Sequence, residues 1–263
     1  MSALNIATVR RHARSAHGFT LVELMVALAI AVFLLGGLFS IVQNLRNTYS
    51  NQQSLALLQD QQRFAMTVIT DVIQAAGYFP SATNYTDATS LTATAPFGQG
   101  QAFAGTHPGG AASDTLGVRY RTAIGDGVIL CDGSTNTAVA PDNLYANQFT
   151  VVPPATPPTA AAPGTLYCQL NNNAPVALVN GIQSMTIYYG VKRDAATDDY
   201  NVDTYLSADQ MNPAGPLGSD WANVSSVRVV LVFVNPLFPQ PGQQQFITFE
   251  RVVEVMGRAG VHT

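Results

Sequence analysis

The chain has 263 residues, of which 47% are hydrophobic and only 11% are charged, and its formal net charge is −4. This length allows one domain of ordinary size together with an extended helix. An acidic balance with few basic residues gives no electrostatic footprint for a nucleic-acid backbone, so no direct nucleic-acid partner is predicted.

The N-terminal segment joins a basic leader, with three arginines and no acid, to a long apolar run. The nineteen residues of Leu24–Val42 include one polar side chain, Ser40. As a helix they would cover about 28 Å, close to the ~30 Å hydrocarbon core of a bilayer. Glu23 stands at the start of this run, where a carboxylate is costly and invites a functional interpretation. The segment predicts a membrane helix with its arginine side cytoplasmic and the acidic remainder translocated.

The residues around the junction read His17-Gly-Phe-Thr-Leu-Val-Glu and lead directly into the apolar run. This order resembles the N-terminus of a type IV prepilin. The resemblance implies a leader that prepilin peptidase removes after Gly18, followed by N-methylation of the new terminus, Phe19. It also implies an assembly role for Glu23, whose carboxylate would pair with the Phe19 ammonium of the same or a neighbouring subunit. Removal of the leader arginines would move the formal charge from −4 to −7.

Two simpler interpretations explain part of this segment. An ordinary secretory signal has an apolar region of roughly 7–15 residues and then a small-residue cleavage site. Here the apolar run is longer, and it is followed by Asn44-Leu-Arg-Asn-Thr. In an uncleaved anchor, Thr20 and Glu23 would form a capping box, which explains their spacing but not the Gly18-Phe19 junction. Capping is compatible with the prepilin interpretation.

Beyond Gln43 the sequence turns polar but keeps a helical period. An apolar stripe predicts an amphipathic helix that packs on the rest of the domain. Gly77 and Pro80 supply the stop signal, so the whole helix is predicted over Thr20–Ala76. The pair Gly36-Gly37 should weaken it by about 1 kcal/mol per glycine and mark a bend or melting point. The stripe consists of Leu58, Ala65, Ile69, Val72 and Ala76, with Leu55, Phe64 and Val68 alongside.

Strands follow an irregular connection that is predicted for residues 77–113. The nearly all β-branched or aromatic run Val227–Val234 predicts a central strand covered on both faces. The proline-rich segment Pro153–Pro163 predicts an exposed loop. The predicted strands are Thr115–Arg121, Val128–Cys131, Gln148–Val152, Leu166–Leu170, Met185–Val191, Val224–Val234 and Phe246–Met256.

The chain has two cysteines, Cys131 and Cys168, both in the translocated part. In an oxidising compartment such a pair predicts one disulfide, which would contribute about 4 kcal/mol in the chain-entropy model. Two unrelated buried thiols are the alternative. A metal site is not indicated, because two cysteines and four scattered histidines lack ligand spacing.

Catalytic motifs are absent from the sequence. It contains no G-x-S-x-G, no P-loop and no G-x-G-x-x-G after a strand. His107 lies in an apparent loop and His262 lies at the end of the chain, and neither has the sequence context of a general base. We therefore predict no enzymatic activity and no cofactor.

An acidic cluster is the remaining candidate for ion binding. Its carboxylates could supply oxygen ligands to Ca²⁺, but the spacing lacks the D-x-[DN]-x-[DN]-G pattern. A solvated hairpin turn between Val191 and Tyr200 is the favoured interpretation. The cluster comprises Asp194, Asp198, Asp199 and Asp203.

Four further segments narrow the resemblance to minor pilins of the PilW type. The resemblance implies an α+β type IV pilin fold, in which a long N-terminal helix packs on an antiparallel β-sheet. It divides the chain into a leader (1–18), a membrane or fibre-core helix (19–43), an amphipathic helix (44–77) and a β-rich globular domain (78–263). The segments begin Gln74-Ala-Ala-Gly-Tyr, Ser113-Asp-Thr-Leu-Gly-Val-Arg-Tyr, Leu178-Val-Asn-Gly-Ile-Gln-Ser-Met and Trp221-Ala-Asn-Val-Ser-Ser.

The function that this resemblance implies is that of a minor pilin, which takes part in initiation of pilus assembly or forms the fibre tip. Its partners would be other major and minor pilins, prepilin peptidase and the inner-membrane assembly platform. It would span the inner membrane once, with its C-terminal domain in the periplasm, and later enter the extracellular fibre. A pseudopilin of a type II secretion system is the alternative. Adhesion and DNA uptake fit the fold but have no residue signature, and an anchored periplasmic enzyme is the rival of a different class.

Overall fold

The computed structural model describes residues 18–80, 87–110, 112–138, 142–153, 163–194, 201–214 and 218–256. The chain divides into two compact units, residues 1–52 and 53–263. Short 3₁₀ helices lie at Ala208–Gln210 and Asp220–Ala222. The other elements are α1 (Leu21–Gln74), α2 (Asp87–Ser90), β1 (Phe103–Thr106), β2 (Thr115–Thr122), β3 (Asn143–Val152), β4 (Gly164–Leu170), β5 (Val176–Val191), β6 (Thr204–Leu206), β7 (Val224–Val234) and β8 (Phe246–Glu254).

Helix α1 begins and ends within two residues of its predicted limits. Gly77 follows its last turn with a φ of +74°, a left-handed conformation that glycine adopts without a Cβ penalty. The N–H of Gly77 then donates to the carbonyl of Arg119 in β2 at 3.0 Å. Helical conformation continues through Gly36 and Gly37, so the structure does not contain the melting point predicted there.

The second unit buries the predicted apolar stripe of α1 against the sheet, with one correction. All five residues of the stripe are buried. Phe64 is 50% exposed, so its predicted place beside the stripe is wrong, and Met66 and Ile73 are buried instead. At 100° per residue, these two lie on one side of the stripe and Phe64 on the other. The sheet therefore covers the stripe and the side of the helix that carries Met66 and Ile73, and it leaves the side that carries Phe64 exposed.

The strands form one antiparallel sheet of eight strands in the order β1-β2-β3-β4-β5-β7-β8, with β6 paired to β5. Its inner face packs on α1 and contributes most of the core. Together, the long N-terminal helix and the antiparallel sheet give the predicted α+β fold.

Strand β7 is central, as predicted, but it is not fully covered on both faces. Val227, Val229 and Leu231 are fully buried on its inner face, whereas Val230 and Val232 on the outer face are partly exposed. An antiparallel sheet with a helix on one face leaves its other face to solvent. A run of β-branched residues alone does not distinguish this arrangement from a doubly covered strand.

Four short segments differ from the sequence predictions. Val128–Cys131 is not a strand; it contributes only the isolated bridge between Ile129 and Thr135, closed around a turn at Gly133. The connection 77–113, predicted as irregular, contains α2 and β1. The sequence analysis also missed β6, which has only three residues. Segments this short carry too few residues for a periodic pattern.

The connection between β1 and β2 closes a gap on one edge of β5. On that edge, β4 pairs with the first part of β5 and β6 pairs with its last three residues. Between them, the N–H of Asp114 donates to Met185 O and its Oδ2 accepts the N–H of Ile187, both at 2.8 Å. Ser113 Oγ accepts the N–H of Met185 at 3.2 Å. These bonds satisfy edge groups that no strand pairs.

Candidate assembly site and its supporting domain

The predicted processing junction lies immediately before α1 and is accessible. Gly18, Phe19 and Thr20 are exposed and precede the first helical residue, and Phe19 is 81% exposed. A side chain added at Gly18 would have no neighbour within 4 Å. The described side of the junction is thus exposed, and cleavage after Gly18 stays a prediction.

Glu23 lies in the first turn of α1 and is exposed. Its backbone N–H donates to Thr20 Oγ1 at 3.3 Å, and the N–H of Leu24 donates to Thr20 O at 3.2 Å. Thr20 therefore caps the helix. Among the described contacts only this half of a capping box forms, so the carboxylate of Glu23 is left available for another partner.

The surface of α1 before residue 43 is apolar in the described structure. Its large hydrophobic side chains are exposed throughout. Among the described residues, α1 is the helix that is long and apolar enough to cross a membrane, a test of length and composition that an N-terminal signal sequence also passes. Apolar surface of this extent requires lipid or other apolar helices around it.

A shallow depression interrupts this apolar surface at Gly36. Val32, Leu35, Phe39 and Val42 surround it, and the space over both Gly36 and Gly37 is open. Small residues at such places let another helix approach closely in an apolar medium. The glycine pair therefore offers a contact point for a neighbouring helix.

The two cysteines form a disulfide in the buried core of the second unit. Cys131 and Cys168 are 1% and 0% exposed and their Cα atoms are 5.9 Å apart, within the usual range. The N–H of Cys131 also donates to Asn147 Oδ1 at 2.9 Å. The disulfide fixes the loop after β2 to β4, as the sequence predicts.

Sequence analysis missed a buried arginine on the outer face of β2. Arg119 is 1% exposed and its guanidinium donates to backbone carbonyls of the loop between α2 and β1. It also lies 4.8 Å from the ring centroid of Phe97. Burial lowers the pKa of Arg119 to about 10. The strand also carries Arg121 at the alternate position, so its sequence carries no clear signal that Arg119 is the buried arginine. The accepting carbonyls are those of Gln101 and Thr92, at 2.6 Å each, of Leu91, at 3.2 Å, and of Gly98.

A second charged group, Asp220, holds the segment before β7. Asp220 is 1% exposed and accepts bonds from Arg193 at 2.5 Å and from the N–H of Asn212 at 2.7 Å. Burial raises the pKa of this carboxyl, but the bonds from Arg193 and Asn212 outweigh it, so the pKa lies below its ordinary value. The pair is structural, because the same carboxylate joins the hairpin after β5 to the chain before β7.

The remaining candidates for chemistry are used structurally where they are described. His107 Nδ1 lies 2.7 Å from Asp114 Oδ1, and the other oxygen of Asp114 is bound to β5. Asp203 accepts the N–H groups of Arg193 and Asp194 at 2.7 and 2.6 Å. In the described ranges, no three residues of the His, Cys, Asp and Glu types are grouped to hold a metal.

Some of the residues named from sequence lie outside the described ranges. In the acidic cluster, this applies to Asp198 and Asp199, and the calcium hypothesis is therefore untested. His262 and most of the proline-rich loop also lie there. Strands β5 and β6 pair on either side of this segment, with Val191 opposite Thr204, but residues 195–200 of the predicted turn lie outside the described ranges.

Two family matches bear on the class of protein. Residues 13–39 match the prokaryotic N-terminal methylation motif, and residues 158–250 match the family described as type IV pilus-assembly protein W. This chain is type IV pilin-like. The first match contains Gly18, Phe19 and Glu23, and the second covers β4 to β7 and the first half of β8.

Other comparisons give no further support. The type IV-like pilin TTHA1219 from Thermus thermophilus is 12% identical, with 77% of this chain and 98% of that chain covered and a TM-score of 0.36. Among curated proteins no match is found. The likeness of this pilin-like chain to the PilW type therefore rests on the two family matches, together with the observed helix and sheet.

Proposed function

We propose that this protein is a minor pilin of a type IV pilus, which helps to initiate assembly or forms the fibre tip. The observation that carries the proposal is the uncovered apolar half of α1, which starts at an accessible Gly18-Phe19 junction and has one carboxylate, Glu23, in its first turn. The match to pilus-assembly protein W supports the same function.

Processing and location follow from this proposal. The leader inserts the chain with its arginines in the cytoplasm, and prepilin peptidase cuts after Gly18 and methylates Phe19. The mature subunit spans the inner membrane once, with residues 44–263 on the periplasmic side, until the assembly platform moves it into the extracellular fibre. Its other partners are major and minor pilins.

Glu23 sets the register of the subunit in the fibre. A carboxylate among apolar helices is costly unless it is paired, and the Phe19 ammonium of the same or a neighbouring subunit is the nearest cation. In the described structure the side-chain oxygen of Thr20 already caps the helix by accepting the backbone N–H of Glu23. The carboxylate is therefore not needed for that purpose.

A minor rather than a major role fits the size of the second unit. A tip subunit must insert its apolar helix into the fibre, but it does not repeat along the fibre. A large globular domain therefore does not have to pack against identical copies. The protein acts through assembly and not as an enzyme. Twitching motility and adhesion would depend on it indirectly, through the number of fibres.

Deletion of the gene tests the proposal. The number of surface fibres should fall, and blocking retraction should partly restore it. Proteomics of sheared wild-type fibres should find this chain at low abundance beside a dominant pilin. Dominance of this chain would contradict a minor role. Normal fibres together with impaired protein secretion would favour the type II pseudopilin instead.

A further inference from the structure

The outer face of the sheet in the second unit carries a groove. It measures about 610 Å³, within the ~300–1,000 Å³ typical of ligand sites. Its floor is formed by the small residues Ala104, Gly117 and Ala146 on three adjacent strands. One wall is the turn at residues 94–97, and the other is the β4–β5 turn at Asn171 and Asn172. We call this feature the outer groove.

Both walls are held firmly. The N–H and carbonyl of Thr94 and Phe97 bond each other at 3.0 and 2.8 Å, and Arg119 holds the same loop from below. A Cβ at Gly117 would lie 3.0 Å from the ring of Phe97, so the glycine makes room for that wall. On the far side, Asn171 bonds the N–H and carbonyl of Ala146 at 2.8 and 2.7 Å. The outer groove is thus pre-formed.

The lining offers hydrogen-bonding groups but no available charge. Gln148 and Asn172 present side-chain amides with no partner among the described contacts, and Thr106 and Thr115 present hydroxyls 2.9 Å apart. Amides and hydroxyls both donate and accept. Arg119 is the only charged lining residue, and its guanidinium is buried and directed to backbone carbonyls.

These features select the class of ligand. Among the described lining residues, an anionic ligand such as a nucleic acid or an acidic lipid would find no free cation. A peptide that binds as an added strand pairs with an open sheet edge in the plane of the sheet. Strands β2 and β3 are paired on both sides along the floor, and β1 is the edge strand, so a strand added there would lie beside the floor and not over it. The hydroxyl groups of an uncharged sugar match donors and acceptors of this kind above small, apolar floor residues.

We propose that the outer groove binds a neutral oligosaccharide. The described lining residues all lie in the second unit and outside α1, so binding there does not require the apolar half of the helix. The proposal therefore stands or fails separately from the assembly function.

The test uses the full chain in lauryldimethylamine oxide micelles, since a maltoside detergent would itself present a sugar. Neutral, sialylated and sulfated oligosaccharides and uncharged peptides are printed on one array. We expect binding to neutral oligosaccharides. Binding only to the anionic glycans, only to the peptides, or to none of the probes would overturn the proposal.

Variants then locate the site by calorimetry with the best-bound neutral oligosaccharide. Ala146→Phe fills the floor and should weaken binding by more than about tenfold. Thr186→Phe, on the outer face of β5 and away from the groove, is the matched control and should bind like the wild type. The double variant Gln148→Ala/Asn172→Ala removes hydrogen-bonding side chains without adding volume and should also weaken binding. It serves as the test of the site if Ala146→Phe does not fold. Unchanged affinity in folded groove variants would refute the site.

Discussion

At the scale of single residues, two buried charges organise the second unit. Arg119 has no acidic partner in its described contacts; carbonyl dipoles and the Phe97 ring surround it. Asp220 has a cation, Arg193, together with the N–H of Asn212. Both side chains bind segments that lack long secondary structure. We therefore expect substitution of either side chain to lower stability more than substitution of a surface charge does.

Arg119→Met keeps much of the side-chain length but removes the donors to the loop between α2 and β1. Because buried carbonyls would lose their partners, we expect the free energy of unfolding to fall by about 3 kcal/mol. Denaturant unfolding followed by the fluorescence of Trp221, the single tryptophan, measures this. Arg251→Met is the control, since Arg251 is exposed and contacts only Thr70 in the described structure. Equal effects of the two variants would contradict the role of Arg119.

Asp220→Asn should remove a stabilisation that depends on pH. The pKa of Asp220 is lower in the folded state than in the unfolded state, so its ionised carboxylate stabilises the folded protein at pH values above the unfolded pKa. This stabilisation is lost as the pH falls through the folded pKa. We expect the variant to be about 2 kcal/mol less stable at pH 7, with a smaller difference at pH 3. Glu250→Gln, in an exposed pair with Arg228, should change little at either pH. A constant difference for Asp220→Asn would refute the linkage.

At the scale of elements, the disulfide connects a loop without regular structure to the sheet. Replacing Cys131 and Cys168 together with alanine should lower the free energy of unfolding by about 4 kcal/mol in the chain-entropy model. The control is unfolding in the presence of a reductant, which should lower the free energy of unfolding of the wild type and leave that of the double variant unchanged. If the double variant and the oxidised wild type unfolded at the same denaturant concentration, the disulfide would not stabilise the domain.

Elements with a long periodic pattern could be predicted from the sequence. Helix α1 and strands β4 and β7 were placed within a few residues, because burial repeats along them at a helical or strand period. Strands β1 and β6 have four and three residues, which is too short for a period. The segment Val128–Cys131 is apolar because it packs on the core as a loop, and local composition does not separate a buried loop from a strand.

The candidate sites were predictable to different degrees. Gly18, Phe19 and Glu23 belong to a linear motif, so their identification required no tertiary information. The outer groove unites residues from 94 to 172 that only the sheet brings together. Asp114 is an intermediate case: it lies in a segment that supports the family resemblance, but its hydrogen bond with the N–H of Ile187 depends on the tertiary structure, which brings the β1–β2 connection to the edge of β5.

At the scale of the whole molecule, the proposed role of Glu23 predicts that its loss affects assembly and membrane insertion differently. Glu23→Ala removes a charge that costs about 2.5–3.5 kcal/mol at a helix centre on insertion scales and less near an end. Insertion should therefore be retained or improved, whereas recovery of the protein in sheared fibres should fall sharply. Membrane fractionation and quantitative mass spectrometry measure the two effects.

Thr20→Ala is the matched control for this variant. It removes the side-chain cap on the N–H of Glu23 but keeps the carboxylate, so incorporation into fibres should persist. If both variants lost incorporation equally, the role of Glu23 would be that of a helix cap. If Glu23→Ala entered fibres normally, the proposed register role would be wrong.

The central claim is that this chain is processed as a pilin and enters a fibre, and the N-terminus of the protein recovered from sheared fibres tests it most directly. Peptide mass spectrometry should find a chain that begins at Phe19 and carries one added methyl group. Replacement of Gly18 by a bulky residue should leave the leader attached and remove the protein from the fibre fraction. Recovery of fibre-associated protein that still begins at Met1 would contradict the account.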